Sequence, residues 1–163
     1  MTFKRPLGLF ACVIAAALLV VPAFAQTERG KAELKAGSGS ITVDYGRPSL
    51  QGRDPLALQK EGSSWRMGKD EATTLTTPVD LTFGAAKIAK GSYMLQLLKV
   101  SADGYELVFN PKSGEATKVA MKKLTGPSPV EIFTIELQPA PKGGIFVLTW
   151  GTARLSADFQ TGS

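Results

Sequence analysis

The sequence predicts an all-β protein, a single antiparallel β-sandwich (jelly-roll-like or barrel-like) that follows a cleaved signal peptide. Three observations predict it. Apolar and polar residues alternate in about eight or nine short segments, as in strands with one buried face. Turn signals separate these segments, and the 17 Gly and 10 Pro exceed the roughly 12 % of an average chain. Beyond the first 25 residues, no long stretch keeps a helical period.

The first 25 residues have the three parts of a secretory signal peptide. Lys4 and Arg5 form a positive start, residues 7–21 form an uncharged apolar run, and an Ala-Phe-Ala sequence ends at Ala25. The run is shorter than the roughly 20 residues that a membrane-spanning helix needs. We therefore expect cleavage after Ala25 and a periplasmic or secreted protein. An uncleaved anchor and lipidation at Cys12 are the alternatives.

Composition excludes several kinds of chemistry for the processed chain. The whole chain has no His and one Cys, and that Cys leaves with the leader. Disulfides, thiol nucleophiles, thiolate zinc sites and Ser-His-Asp triads are thereby excluded. The acids are spread singly, so we predict neither a metal site nor a cofactor. The net charge of +5, two units of which leave with the leader, is too small to indicate nucleic acid as a partner.

Taken in order, the processed chain begins with a polar segment. Residues 26–39 are charged and then Gly/Ser-rich, which predicts a flexible lead-in with at most a short strand near Leu34. The β domain is predicted over 40–160, beginning with a half-buried strand at 41–45. Residues 46–72 then form a long irregular connection with one or two helical turns near 55–60.

The rest of the chain predicts regular strands joined by turns, of which Asp103-Gly104 is the strongest hairpin signal. Residues 145–150 are apolar on both faces and predict a central strand, with Trp150 in the core and Gly151 in a bulge or tight turn. The predicted strands are 73–77, 79–83, 92–100, 105–109, 118–124, 132–137, 145–150 and 154–159.

Three lysines lie on one of these strands. Lys118, Lys122 and Lys123 suit a strand that must be protected from pairing with another sheet, because lysine on an edge strand prevents such pairing. A surface for acidic polymers is the other interpretation of the same lysines.

The long connection carries the densest chemistry. It contains YGRPS from Tyr45 with Gly52-Arg53 after it, and WRMGKDEATT from Trp65. Together with KGSY from Lys90 and LVFN from Leu107, these stretches resemble a family of exported bacterial proteins known as domain of unknown function 2911. The resemblance covers roughly residues 40–160 and implies a small β-sandwich. It implies no activity or cofactor, since none is established for the family.

The connection admits three interpretations. In the structural one, its arginines pair with Asp70 or Glu71 and satisfy loop carbonyls. In the second, it forms a binding site for an anionic or carbohydrate-like ligand. In the third, Glu71 is the acid or base of a small carboxylate-dependent hydrolase or lyase that acts on envelope carbohydrate. The candidate binding residues are Tyr45, Arg47, Arg53, Trp65, Arg66, Lys69 and Glu71.

These observations favour a non-catalytic binding or accessory module of the periplasm or the secreted fraction, with the hydrolase as the alternative. We also expect Arg66 and Glu71 to interact, directly or through a neighbouring arginine. Nucleic acid and a stable membrane span after processing are not expected.

Overall fold

The computed structural model describes residues 29–126 and 128–162, so the predicted leader and its cleavage site lie outside the described residues. The described chain forms strands and one short helix. In chain order these are β1 (Arg29–Ala36), β2 (Gly39–Gly46), α1 (Pro55–Leu58), β3 (Ser64–Trp65), β4 (Thr74–Thr77), β5 (Leu81–Phe83), β6 (Ala86–Ile88), β7 (Gly91–Lys99), β8 (Tyr105–Pro111), β9 (Thr117–Leu124), β10 (Val130–Ala140), β11 (Gly143–Gly151) and β12 (Ala153–Thr161).

The strands form one large antiparallel sheet, which confirms the predicted all-β class. Its main order is β1-β2-β4-β7-β8-β9-β12-β11-β10, while β3 pairs with β7 and the β5–β6 hairpin pairs with β12. The two end strands, β1 and β10, lie close to each other, so the sheet curls into a nearly closed, barrel-like body. No helix within 29–126 or 128–162 is long and apolar enough to cross a membrane.

Alternate residues of the long strands fill the interior. Leu95 and Leu97 on β7 and Leu107 and Phe109 on β8 are completely buried. Each such side chain contributes roughly 1.5–3 kcal/mol by leaving water. The period of two that predicted the strands is therefore the pattern that builds the core.

The N-terminal prediction is wrong for residues 29–36. In place of a flexible lead-in, β1 pairs with β2 along its full length. Its inner face has only one large apolar residue, Leu34, between the small Gly30, Ala32 and Ala36, so the apolar alternation was too weak to predict a full strand. Gly30 has to be small, because a Cβ there would overlap the ring of Tyr45.

The prediction that β9 is an edge strand is wrong for residues 122–124, whereas residues 117–121 have a paired neighbour on one side only within the described chain. Residues 117–121 pair with β8, and residues 122–124 pair with β12. The strand therefore links the two halves of the sheet. Lys122 donates to Asp158 at 2.7 Å, and Lys123 pairs with Asp103. These two lysines bind acids of neighbouring segments and do not shield a free edge.

Several local predictions are confirmed. A single helical turn lies at α1, and the chain reverses between β7 and β8 at Asp103 and Gly104. Trp150 is 5 % exposed, and Gly151 has a φ of 59° in the tight β11–β12 turn. The sequence did not reveal β3 and β6, which are only two and three residues long.

Candidate functional site

The connection between β2 and β4, here the closing segment (residues 47–73), carries most of the predicted site. On one side it is bound to β10, where Phe133 N donates to Pro48 O at 2.9 Å. On the other side it is bound to β7, where Lys99 N donates to Ser63 O at 3.1 Å. The segment thus links β10 to β7, two strands that do not pair with each other, while most of its residues lie at the surface.

An aromatic cluster fixes the segment from within. Trp65 stacks on Trp150, with ring centroids 5.1 Å apart and an interplanar angle of 17°, and meets Phe133 edge-on at 5.0 Å. Tyr45 also meets Phe133 edge-on, and its hydroxyl donates to Ile135 O at 3.2 Å. Tyr45 is only 4 % exposed, so its ring is not open to a ligand, although the sequence made it a candidate binding residue. It is a core residue with a satisfied hydroxyl.

Asp54 ties the segment to a distant turn. Its carboxylate caps α1 by accepting from Ala57 N at 3.2 Å, and accepts from the backbone and hydroxyl of Thr152 at 3.1 and 2.8 Å. Gly151 lets the carboxylate approach, since a Cβ there would overlap it. Burial alone would raise the pKa of Asp54, but the hydrogen bonds from Thr152 and from the helix start outweigh it and lower the pKa.

Side chains of the segment also fill the interior. Leu56 is 1 % exposed, and its carbonyl accepts from the Tyr105 hydroxyl at 3.1 Å. The amide of Gln59 donates to Ser63 O at 2.8 Å and to Leu97 O at 3.2 Å. The helical turn is therefore bound to β8 through the Leu56 carbonyl, and Gln59 at its end is bound to β7 through its side-chain amide.

The tryptophan-containing motif ends in a strained, buried turn. Met67 is completely buried and has a φ of 56°, a conformation that costs a non-glycine residue of order 1–3 kcal/mol. Thr73 holds this turn by donating its hydroxyl to Met67 O at 2.5 Å. A Cβ on Gly46 would overlap the backbone of Lys69. Gly46 of the first motif and Thr73 of the tryptophan-containing motif thus serve close backbone packing.

The charged residues of the predicted site lie at the surface. Glu71 has an 82 % exposed side chain, and the arginine beside it is Arg29 of β1, with Arg29 Nη1 3.7 Å from Glu71 Oε2. Arg29 also pairs with Asp44 on β2. Arg66 is exposed and forms no ion pair with Glu71 among the described residues. The direct Arg66–Glu71 pair is therefore wrong, because β1, which was expected to be flexible, supplies the arginine.

The seven predicted residues therefore separate into two groups. Tyr45 and Trp65 belong to the aromatic cluster, and the side chain of Arg47 would lie against a Cβ at Gly30. The others are exposed at the surface, namely Arg53, Arg66, Lys69 and Glu71. Within the described ranges, no three Asp or Glu side chains are grouped as a metal site would need.

A concave site lies elsewhere, where β9 and β12 separate. Lys122 pairs with Ser156, but β12 then takes β5 as its neighbour at Gln160, so β9 and β12 diverge. The wedge between them is a cleft of about 520 Å³, here the seam cleft. It is lined by Phe83, Gly84, Ala85, Ala86, Lys118, Val119, Ala120, Lys122, Ser156, Ala157 and Asp158.

The walls of the seam cleft combine small apolar residues with charge. Ala85, Ala86 and Ala120 leave the space open, and Lys118 and Lys122 supply cations. Such a volume lies within the usual range of ligand pockets, roughly 300–1,000 Å³. Sequence reasoning noted these lysines but missed the cleft, because only strand pairing brings β5, β6, β9 and β12 together.

Comparison with known families gives one match. The family described as "Protein of unknown function (DUF2911)" matches residues 27–159. No curated protein and no solved structure matches the chain.

Proposed function

Because the chain belongs to the DUF2911 family, whose match covers nearly the whole β domain, we propose one function for that domain as a unit. It is a non-catalytic binding module that acts after export, in the periplasm or the secreted fraction. Its ligand is anionic, and the ligand site is the seam cleft. The proposal keeps the anionic ligand that the sequence predicts and moves its site away from the closing segment.

The environment of the acids supports binding over catalysis. A general acid at neutral pH needs a raised pKa. In Glu33 and Asp103 the pKa is lowered, by hydrogen bonds from Ser40 and Lys123 respectively. Glu71, the acid of the hydrolase alternative, is exposed and lies beside Arg29. These observations do not favour the hydrolase.

The observation that carries the proposal is the seam cleft itself. Lys118 and Lys122 lie four residues apart on the same outer face of β9, with Ala120 between them, and both line the cleft. Asp158 accepts from Lys122 and balances its charge, whereas Lys118 has no acidic partner among the described residues. One uncompensated ammonium beside small apolar walls suits a carboxylate or a similar anion.

A titration tests this site. We expect glutarate, added to ¹⁵N-labelled processed protein at low salt, to shift the amide resonances of Lys118, Ala120 and Ala157, while the neutral glutaramide leaves them in place. Lys118→Gln should raise the Kd for glutarate, measured from these shifts, roughly two- to fivefold, as the loss of an exposed ion pair does. The matched control is Lys60→Gln, an exposed lysine of the closing segment. Equal shifts in both variants would place the site elsewhere.

Export is tested separately, by expressing the full chain in a bacterial host and sequencing the N-terminus of the protein recovered from the periplasm or medium. The proposal expects a chain that begins at Gln26. Recovery of a chain that retains Met1, in the membrane or the cytoplasm, would overturn the export part of the proposal and leave the binding part to the titration.

A further inference from the structure

Another concave site lies at the end of the barrel-like sheet where β1 turns into β2. This turn cleft has a volume of about 530 Å³ and lies between the β1–β2 turn, the β10–β11 turn and the end of β12. Its walls include Lys35, Gly37, Lys142, Gly143, Gln160 and Thr161. We infer that the turn cleft binds a phosphate monoester of a small polyol, at a site separate from the seam cleft.

Close packing of three strands brings the two lysines of the turn cleft together. Leu34 of β1 and Phe159 of β12 both lie against Gly144 of β11, where a Cβ would overlap both side chains. Lys35 is the next residue after Leu34, and Lys142 lies two residues before Gly144. Two cations that are far apart in the sequence therefore line one cleft.

Acids do not neutralise these two cations. Neither Asp nor Glu is among the described residues that line the turn cleft, and neither Lys35 nor Lys142 forms an ion pair in the described chain. Glu33, on the same strand as Lys35, pairs with Lys31 at 3.6 Å. Asp80, beside the end of β12, accepts from a backbone amide at 2.8 Å. Two uncompensated ammonium groups favour a ligand with two negative charges.

A phosphate monoester supplies that charge in one compact group. It carries about −1.5 to −2 charges at pH 7 and has three strong acceptor oxygens. Lysine binds phosphate as a point charge at the end of a flexible stem, so the side chains of Lys35 and Lys142 can converge on one group. A single carboxylate would carry only one charge for the two lysines.

The remaining walls of the turn cleft favour a polyol over an apolar group. Gln160 and Thr161 supply an amide and a hydroxyl, and Gly37 and Gly143 leave backbone accessible because they have no side chain. Thr161 N donates to Lys142 O at 3.0 Å, which fixes the β10–β11 turn against the end of β12. A phosphate group alone fills only part of about 530 Å³, and hydroxyl groups suit the polar remainder.

The test titrates glycerol 3-phosphate into the ¹⁵N-labelled processed protein at neutral pH and low salt. We expect the amide resonances of Gly37, Lys142 and Gly143 to shift, while those of Lys118 and Ala120 in the seam cleft stay in place. Glycerol, which is neutral, should cause no shifts. Dimethyl phosphate, a diester with one charge, should bind more weakly than glycerol 3-phosphate.

Variants of the exposed lysines then locate the site. Lys35→Gln and Lys142→Gln should each raise the Kd for glycerol 3-phosphate roughly two- to fivefold, as the loss of an exposed ion pair does, and the double variant should bind more weakly than either. The matched control is Lys112→Gln, an exposed lysine of the β8–β9 turn outside the cleft, which should leave the Kd unchanged. Equal effects of all three changes, or no shifts at the turn cleft, would overturn the inference.

A second arm separates two sources of the same phosphate monoester. Phosphatidylcholine vesicles that contain phosphatidic acid present the group on a lipid. Sedimentation with these vesicles that is lost in the double variant would identify a lipid headgroup, whereas binding of glycerol 3-phosphate without sedimentation would identify a soluble ligand. Either result supports the inference. Both leave the proposed function to its own titration, since glutarate binding depends on Lys118 in the seam cleft.

Discussion

The closing segment and the seam cleft differ in a way that matters for reading sequences of this kind. The closing segment has the arginines, acids and aromatic residues that attract attention, yet Tyr45, Trp65 and Met67 hold the fold together from inside. The seam cleft is lined by four alanines together with two lysines, one acid and a few other small or apolar residues, yet it is concave and has unpaired strand edges. Dense chemistry in a sequence can thus serve packing, while an open site can be built from plain residues.

The largest expected loss of stability follows from removing a buried side chain of the closing segment. Met67→Ala removes a completely buried side chain, and we expect a loss of about 3–4 kcal/mol in the free energy of unfolding, as for other buried large-to-Ala changes. Met94→Ala, at a position that is 45 % exposed, should cost less than about 1 kcal/mol. Urea unfolding of both variants measures the difference. Similar losses would show that the segment does not depend on its buried methionine.

A second comparison places one methyl group in each region. Gly46→Ala forces a Cβ against the backbone of Lys69, so one of the two backbone segments must shift, and we expect a cost of about 2–3 kcal/mol. Gly84→Ala at the seam meets nothing within 4 Å, and its cost comes only from a φ of 57°, about 1–2 kcal/mol. Differential scanning calorimetry should rank the two variants in this order. The opposite order would mean that the closing segment yields more easily than the seam.

The contribution of Asp54 in the closing segment to the stability of the protein should depend on pH. A carboxyl group with a lowered pKa in the folded protein adds stability above its unfolded pKa of about 3.9, and this stability is lost as pH falls through the folded pKa. Asp54→Asn should therefore destabilise the protein by about 1 kcal/mol at pH 7, because an amide nitrogen in place of Oδ2 cannot accept from Thr152, and by progressively less as the pH falls below about 4. Thermal unfolding from pH 7 to pH 3 measures this. A constant difference across that range would show that the charge of Asp54 does not stabilise the fold through its hydrogen bonds.

The control for this pH series is Glu61→Gln, an exposed acid of the same segment. It should follow the wild-type curve at every pH. Binding of glutarate at the seam cleft should be unchanged in Asp54→Asn at neutral pH, because the hydrogen bonds of Asp54 and the seam cleft involve different residues.

The smallest expected effect concerns the surface charges. Because the side chains of Arg29 and Glu71 are 31 % and 82 % exposed, their coupling in a double-mutant cycle of Arg29→Gln and Glu71→Gln should be below about 1 kcal/mol. The corresponding cycle of Arg66 and Glu71 should be additive. A coupling well above 1 kcal/mol between Arg66 and Glu71 would restore the pair that the sequence alone suggested.

The predictability of the β-strands depended on side-chain size. Strands with large apolar residues, such as Leu95 on β7 or Phe109 on β8, could be found by their period of two. β1 could not be found along its full length, since three of the four residues on its inner face are Gly or Ala and only Leu34 is large, and small residues give little apolar contrast. Missing β1 also meant missing Arg29, so Glu71 was assigned the wrong partner.

What the sequence determined by itself was local. Alternation and turn residues predicted the all-β class, the hairpin at Asp103 and Gly104 and the core position of Trp150, because each depends on neighbours along the chain. Only the tertiary structure decided that β9 leaves β8 for β12 and that β5 takes its place, which opens the seam cleft. Strand partners are chosen by packing between segments far apart in sequence, and no local pattern records that choice.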